Sequence, residues 1–573
     1  MLTYQIKIKH HPKRIRIMCC LAYDLEPEVS NEHPLRDPVQ ERPAPGTPMR
    51  RREIHSTQQA SMDDVDDELA TWFSLDHEGQ PVFVASRSDE VNLKELSMEE
   101  KKLFEQSDAV EWDAIVKTGA VKVLRGKEAA EARRRFPERV LSSRIVRRKK
   151  PQPGTGCWKA KSRWCIAGHG DPDTAELATF SPTPATESIM AFLQVGLKLG
   201  HTFSFTDVKN AFLPVGQVPV YGLDDAPAAW RNTVTRFLTE EGFVRNLIEP
   251  CWWSRFDEHK RNEAQVLIEV DDFIVSCAPQ VKSDLRKRFE ARFHFGKWED
   301  NEAEYAGRLV KVLSDRILIH QEKYITEQVL PVPLLKGRRS QKESALTKDE
   351  FESFRSAIYK VNWVAKETRP EVCGTASLMA SKLKDATVDD VLVLNKNINF
   401  LRTTASRPLT IWKHDPNEMA FLAVSDAGGT GSKYDTLDED GLPSDNTQGA
   451  WMVLTAGSLP IGNQRVRASP LSWRSSKLRR KVFSTFGGAT QAMLQALNEV
   501  DWLQIMIRDA VQHDVSLKQW RNSLSPHMLI MRGDVELLKQ PQCAVTDAKS
   551  LYDCIRSTLR VNKIGNLHWN SPL

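Results

Sequence analysis

The sequence predicts an α+β chain of several domains. Three observations carry that expectation: a length of 573 residues, strand-like runs alternating with helix-length amphipathic segments, and an apolar share of 40% that suffices for real cores. No run of about 18 apolar residues occurs, so no membrane span is expected. The first residues are basic, and their apolar run is too short for the core of a secretory signal. Nine cysteines show no paired spacing beyond the adjacent Cys19 and Cys20. That usage points to a reducing, intracellular setting (cytoplasm or nucleus) without a disulfide framework. Cys157, Cys165 and His169 lack a fourth ligand at finger-like spacing, so buried or ordinary thiols explain them better than zinc.

Residues 1–75 are rich in Pro, Glu, Arg and Ser and hold no sustained period, so they are expected to be largely disordered. Order is expected to begin near Trp72–Ala85. Helical patterns follow at Ser97–Gly119 and Ala129–Arg139. Arg144–Lys150 and the run after Gly156 then alternate around a Pro/Gly turn, which predicts a β-hairpin with its cations on one side. Glu187–Leu199 has helical spacing and ends at Gly200. His201–Leu213 reads as a strand, and Asp225–Gly242 as a helix with Pro227 in its first turn. Val266–Cys277 reads as strand, acidic turn and strand; Lys282–Phe293 as an amphipathic helix; Glu304–His320 as a hairpin turning at Ser314-Asp315.

Net charge is only +4, yet Val116–Arg163 holds sixteen Lys/Arg against three Asp/Glu, a local +13. Interleaved with Trp158 and Trp164, such a block suits a polyanion: nucleic acid or a nucleoside triphosphate. Two acidic features complement it. Asp271 and Asp272 interrupt two β-rich apolar runs, and adjacent carboxylates at a hairpin tip repel unless a divalent cation neutralises them. Asp207 is the one acid in FSFTDVKNAF. Nucleotidyl transfer by two Mg²⁺ ions needs at least two carboxylates on neighbouring strands, and this set supplies them. An Asp-Asp pair by itself is better explained as a solvated turn; the combination with Asp207 and the basic hairpin favours the polymerase reading.

Motif order then becomes specific. WKAKSRWCIAGHGD (Trp158–Asp171), TFSPTPATESI (Thr179–Ile189), FTDVKNAFL (Phe205–Leu213), VYGLDDAPAAW (Val220–Trp230) and EVDDFIV (Glu269–Val275) follow one another. YAGRLVKV (Tyr305–Val312), Arg355–Leu383 with its Thr368–Pro370, LAVSDAGG (Leu422–Gly429) and PLSWRSSKL (Pro470–Leu478) complete the series. Collinear from about residue 100 to 555, these resemble the reverse transcriptase and RNase H region of copia-type LTR-retrotransposon Pol polyproteins. The resemblance implies polymerase fingers and palm over 76–330, with an antiparallel palm sheet. It implies a thumb or connection segment over 331–415, a partial RNase H-like α/β domain over 416–560, and a tail over 561–573. By the same resemblance Asp207, Asp271 and Asp272 are the catalytic carboxylates, with Asp207 and Asp271 holding Mg²⁺ (two ions, Mn²⁺ being an alternative), and Val270 braces the primer end. Lys149, Lys150 and Arg163 would grip the triphosphate, with Phe212, Tyr221 and Gly222 lining the nucleotide pocket; Phe212 is equally well an ordinary core aromatic. The implied partners are RNA template, DNA primer, RNA/DNA hybrid and deoxynucleoside triphosphates.

The departures from the family pattern matter too. Glu269 stands where an aromatic or histidine is usual. Eight residues separate Phe212 from Tyr221, a span of about 28 Å at full extension, where the family carries a much longer palm insert. In the RNase H segment Asp426 and Asp547 match the pattern, but Ala489 replaces the catalytic Glu. Two function classes follow: an RNA-directed DNA polymerase of impaired activity, or a nucleic-acid-binding remnant without chemistry. A kinase or nuclease reading lacks a Gly-rich phosphate loop or a metal-binding His cluster.

Overall fold

A computed structural model gives the fold. It describes residues 90–117, 121–151, 157–209, 222–414, 419–428, 447–458, 466–478, 482, 484–512, 542–545, 548 and 550–551, with four short strands before residue 90. The chain divides into two compact units: Met1–Ser181 with Asn210–Thr233, and Pro182–Lys209 with Val234–Leu573. No helix among the described residues is long and apolar enough to cross a membrane.

In the first unit, Ser97 and Glu100 cap helix α1 (Met98–Lys117) reciprocally, each backbone N–H donating to the other's side chain at 3.1 Å. The helix lies along the hairpin β1 (Ser143–Pro151) and β2 (Trp158–Ile166). Phe104 stacks on Trp158 at 5.8 Å, and Trp112 meets Trp164 edge-on at 5.4 Å. Around Trp164 cluster Ile115, Val121, Leu141, Ile166 and Leu223. The helix expected over Ala129–Arg139 begins earlier and stops at Arg135, where a 3-10 turn from Pro137 takes over. Within 1–75, Gln5–Ile8 pairs antiparallel with Val121–Leu124, and Arg16–Met18 pairs parallel with Val140–Leu141.

The second unit starts with helix α2 (Thr186–Leu199), which ends where Gly200 turns left-handed at φ 71°. Strands β3 (Thr202–Asp207), β4 (Trp252–Phe256), β5 (Asn262–Glu269) and β6 (Asp272–Cys277) follow, then helix α3 (Lys282–Arg292) and β7 (Glu299–Asp300). With the short Val244–Arg245 they form one antiparallel six-stranded sheet, ordered Val244–Arg245, β4, β5, β6, β3, β7. Both faces are covered, so nearly every interior position of β3, β5 and β6 is buried whichever way it points. One face carries Phe203, Phe205, Leu267 and Ile274 into the core shared with α2. The other carries Phe273, which meets Phe295 edge-on, and Phe295 stacks against Phe289 of α3.

The segment expected to be one hairpin, Glu304–His320, is a three-stranded meander: β8 (Glu302–Tyr305), β9 (Arg308–Val312) and β10 (Arg316–His320). Its extra turn is Ala306-Gly307, both at positive φ, as a tight two-residue hairpin loop demands. Helix α4 (Lys348–Glu367) leads to β11 (Leu409–Trp412), which completes that sheet. A second four-stranded sheet follows. There β12 (Ala420–Gly428), β13 (Gln448–Ala456) and β14 (Ala468–Lys477) are antiparallel, helix α5 (Thr485–Gln512) packs on β12 and β13, and β15 (Gln542–Val545) pairs parallel with β12.

This last sheet is not an appendage. Leu503, Met506 and Ile507 of α5 share one buried cluster with α2 and the six-stranded sheet. Carbonyls in the last turns of α5 accept across that junction: Asn246 Nδ2 donates to Met506 O at 2.9 Å, and Asn262 Nδ2 donates to Ala510 O, one of the four terminal carbonyls without an intrahelical partner, at 2.6 Å. The Leu247 N–H donates to Asp509 Oδ2 at 2.8 Å.

Candidate functional site

Strand register decides which acids meet. Asp207, the last residue of β3, stands opposite Asp272, the first of β6, and Asp272 stands opposite Glu269, the last of β5. Directly opposed residues share a face with Cβ atoms about 5 Å apart. Asp207, Asp272 and Glu269 therefore form a row across three strands. Asp271 is a turn residue rather than a strand residue, and its carbonyl accepts the Val208 N–H at 2.8 Å. Register thus sets Asp207 directly beside Asp272, with Asp271 in the adjoining turn next to Val208.

The turn itself is unusual. Val270 has φ 56°, a conformation that a β-branched residue adopts only under constraint. The two-residue connection between β5 and β6 imposes it, because the tight hairpin turns need a positive φ at their first position.

The row is electrostatically tense. Burial, followed by the charges of Asp271, Glu269 and Asp207, pushes the Asp272 carboxyl up to about 7. Glu269 is also raised, mainly by burial, with Glu367 and Asp271 adding to it and Arg308 opposing. Glu269 thus contributes to the raised Asp272 carboxyl. Beneath the row the Tyr305 hydroxyl is buried without a hydrogen-bond partner, and burial together with Glu269 and Asp272 holds its pKa well above the ordinary value. Behind it Arg308 is paired with Glu367, whose Oε2 also accepts from Thr186 Oγ1 at 2.8 Å.

Hard oxygen donors crowded until one holds its proton suit a divalent cation in kind. In geometry they stand side by side: among the described residues no three His, Cys, Asp or Glu side chains converge on one ion position. One crowded edge matters as well. A Cβ on Gly296 would lie 2.0 Å from Asp207 Oδ1, so the carboxylate rests in space that any side chain there would fill. Sequence reading missed Gly296 because nothing in Phe-Gly-Lys-Trp signals a neighbour 89 positions away.

The basic hairpin differs from the expectation of cations on one side. Arg144, Arg148 and Lys150 alternate with Arg147 and Lys149, so the two sets face opposite ways. On the covered face Arg147 pairs with Asp108 of α1 at 2.5 Å. Lys149 pairs with Glu100 at 2.5 Å and lies 4.5 Å over the Trp158 ring. Across the strands Lys161 opposes Arg148, Lys159 opposes Lys150, and Arg163 opposes Val146, giving one face rich in exposed cations. Lys150 and Arg163 therefore share a face that Lys149 does not.

Gly222, at φ 92°, accepts the Gly168 N–H at 2.9 Å. Its Cα nearly touches the Ile166 backbone: a Cβ would come within 2.1 Å of Ile166 O. Both steric room and backbone angle demand glycine. Gly222→Ala is expected to cost about 3 kcal/mol, seen as a lower urea midpoint; an unchanged midpoint would refute this packing. Phe212 and Tyr221 lie outside the described residues, as does the shortened stretch between them.

Asp426 is exposed near the end of β12, its Oδ1 accepting the Ala427 N–H at 2.7 Å. Ala489 is 4% exposed and faces the sheet side, packed with Met493 and Leu551. Asp547 lies outside the described residues, two positions past the end of β15.

No protein-family profile matches the chain. Among curated proteins, the retrovirus-related Pol polyprotein from transposon RE1 of Arabidopsis thaliana is 20% identical over 385 residues, 60% of this chain and 24% of that protein. The corresponding polyprotein from transposon RE2 of the same plant is 21% identical over 384 residues, again 60% and 24%. That from transposon TNT 1-94 of Nicotiana tabacum is 22% identical over 483 residues, 75% of this chain and 34% of that protein. The chain spans a quarter to a third of the length of these relatives. Over 60–75% of its length the chain is similar to the Pol polyproteins of copia-type retrotransposons.

Proposed function

We propose that the chain is an RNA-directed DNA polymerase of impaired activity, with an RNase H-like part that has lost its chemistry. The observation that carries this reading is the acidic row, in which Asp207 and Asp272 meet in register with Asp271 at the adjoining turn. Two Mg²⁺ ions, or Mn²⁺, held by Asp207 and Asp271 with Asp272 would activate a primer 3′-oxygen and stabilise the leaving pyrophosphate. The chain's own residues would bind and orient. Lys150 and Arg163 would present cations to phosphates, Gly222 keeps the backbone behind β2 close, and Val270, held at positive φ by the tight turn, would brace the primer end. In the C-terminal sheet, Ala489 offers no ligand where a carboxylate would be required, which supports loss of RNA cleavage.

Primer extension on an RNA template tests the reading. Slow extension is expected with Mn²⁺ or Mg²⁺, abolished by Asp207→Asn or Asp271→Asn. Extension indifferent to both substitutions would sink it.

A second reading, a nucleic-acid-binding remnant, is favoured by the unconverged carboxylates. It requires hybrid binding without extension at any Mn²⁺ concentration. Under either reading, Lys150→Gln and Arg163→Gln should each flatten the salt slope of hybrid binding by about 0.7–0.9. Lys149→Gln should change it less, because Glu100 already neutralises that lysine. Equal effects from all three would show that the helix α1 contact does not govern binding.

A further inference from the structure

We propose that Gly296 is a positioning residue for Asp207: its missing side chain is what leaves the carboxylate free to present its oxygens to a cation. This rests on the metal-site reading given above.

The segment His294–Gly296 runs along the edge of β3 and is fixed there. The Lys209 N–H donates to His294 O at 2.9 Å, the Gly296 N–H donates to Asp207 O at 2.7 Å, and Val208 and Phe295 form an isolated bridge. Phe295 anchors the segment, meeting Phe273 at 5.6 Å and Phe289 at 6.0 Å. Gly296 can therefore neither slide nor swing away. A Cβ built on it would sit 2.0 Å from Asp207 Oδ1, 2.9 Å from Cγ and 3.3 Å from Oδ2.

Backbone conformation does not require this glycine, because Gly296 is not among the residues at positive φ. Alanine could adopt the same φ and ψ and, by restricting the unfolded chain, would ordinarily be tolerated. What it could not do is share space with the carboxylate. The obstructing atoms are the far end of an exposed side chain, so the side chain gives way while the hydrogen-bonded backbone stays. Gly296 thus sets the Asp207 rotamer without touching the reacting atoms.

The test is Mn²⁺ binding by the full chain, read as loss of the free-ion electron paramagnetic resonance signal, alongside thermal melting. Gly296→Ala should weaken Mn²⁺ binding about 10- to 100-fold, the usual effect of disturbing a group that orients a ligand. Its melting temperature should stay within about 2 °C of wild type. Lys297→Ala, one residue on, should bind like wild type. Should Gly296→Ala lower the melting temperature, adding Asp207→Ala must restore it, since the shortened side chain no longer meets the methyl. Persistent loss in the double variant would overturn the proposal. So would wild-type Mn²⁺ affinity in Gly296→Ala while Asp207→Asn loses binding, an outcome that leaves the metal-site reading standing. Wild-type protein that binds no Mn²⁺, or binds it equally after Asp207→Asn, would overturn the metal-site reading and the role of Gly296 with it.

Discussion

Asp272→Asn is expected to stabilise the folded chain at pH 8 by on the order of 2 kcal/mol, after allowance for solvent screening of a partly exposed group. The Asp272 carboxyl is raised from 3.8 to about 7 by burial and by Asp271, Glu269 and Asp207. A folded-state pKa above the unfolded one means that the native chain holds the proton more tightly. The associated stability is fully present below about pH 4 and is lost as pH rises through about 7. At pH 8 the wild-type chain carries the full charge repulsion and the asparagine variant does not. Urea denaturation from pH 8 down to pH 5 should show the gap shrinking by more than half. Under the metal reading, millimolar Mn²⁺ at pH 8 should narrow it from the wild-type side. A variant no more stable than wild type at pH 8, or a gap indifferent to pH, would mean that Asp272 is not crowded as described.

The second large effect concerns Arg308 and Glu367. Arg308 is 5% exposed, and the Glu367 side chain 12%. Glu367 closes the C-terminal end of α4, where the helix dipole disfavours a carboxylate and the paired Arg308 guanidinium offsets it. Arg308→Met should cost roughly 3–5 kcal/mol, the usual result of stranding a buried charge. Glu367→Leu should cost less, because Arg308 keeps the nearby charge of Glu269 as partial compensation. The double variant should recover most of the loss, since two apolar groups replace two desolvated ions. Purely additive costs in this cycle would rule out the pairing as the source of the effect.

Much of the fold was legible locally. Helix α2 announced itself by apolar spacing and a terminal glycine, and the hairpin around Asp271 by two β-rich runs flanking an acidic break. The capping of α1 is likewise written in Ser-Met-Glu-Glu. The meander was misread because Ala306 is a poor turn former; the pairing of β8 with β9 forces φ 48° on it. In each case where reading succeeded, the signal lay within one helix length of chain. There the local signals and the global fold agree.

The site divides along the same line. Sequence by itself determined that a strand would carry Asp207 and a hairpin turn the Asp271-Asp272 pair, that a basic hairpin would precede them, and that Ala489 could not hold a metal. Which acids stand side by side was settled by register, and a slip of one residue exchanges Asp271 for Asp272. Alternation fixed that Lys149 and Lys150 point apart, but only the packing of α1 decided which of them meets a carboxylate. Gly296 belongs wholly to the tertiary structure. A glycine's role here is to be absent where another side chain must lie, and that neighbour is brought close by sheet pairing, for which the sequence around residue 296 carries no mark.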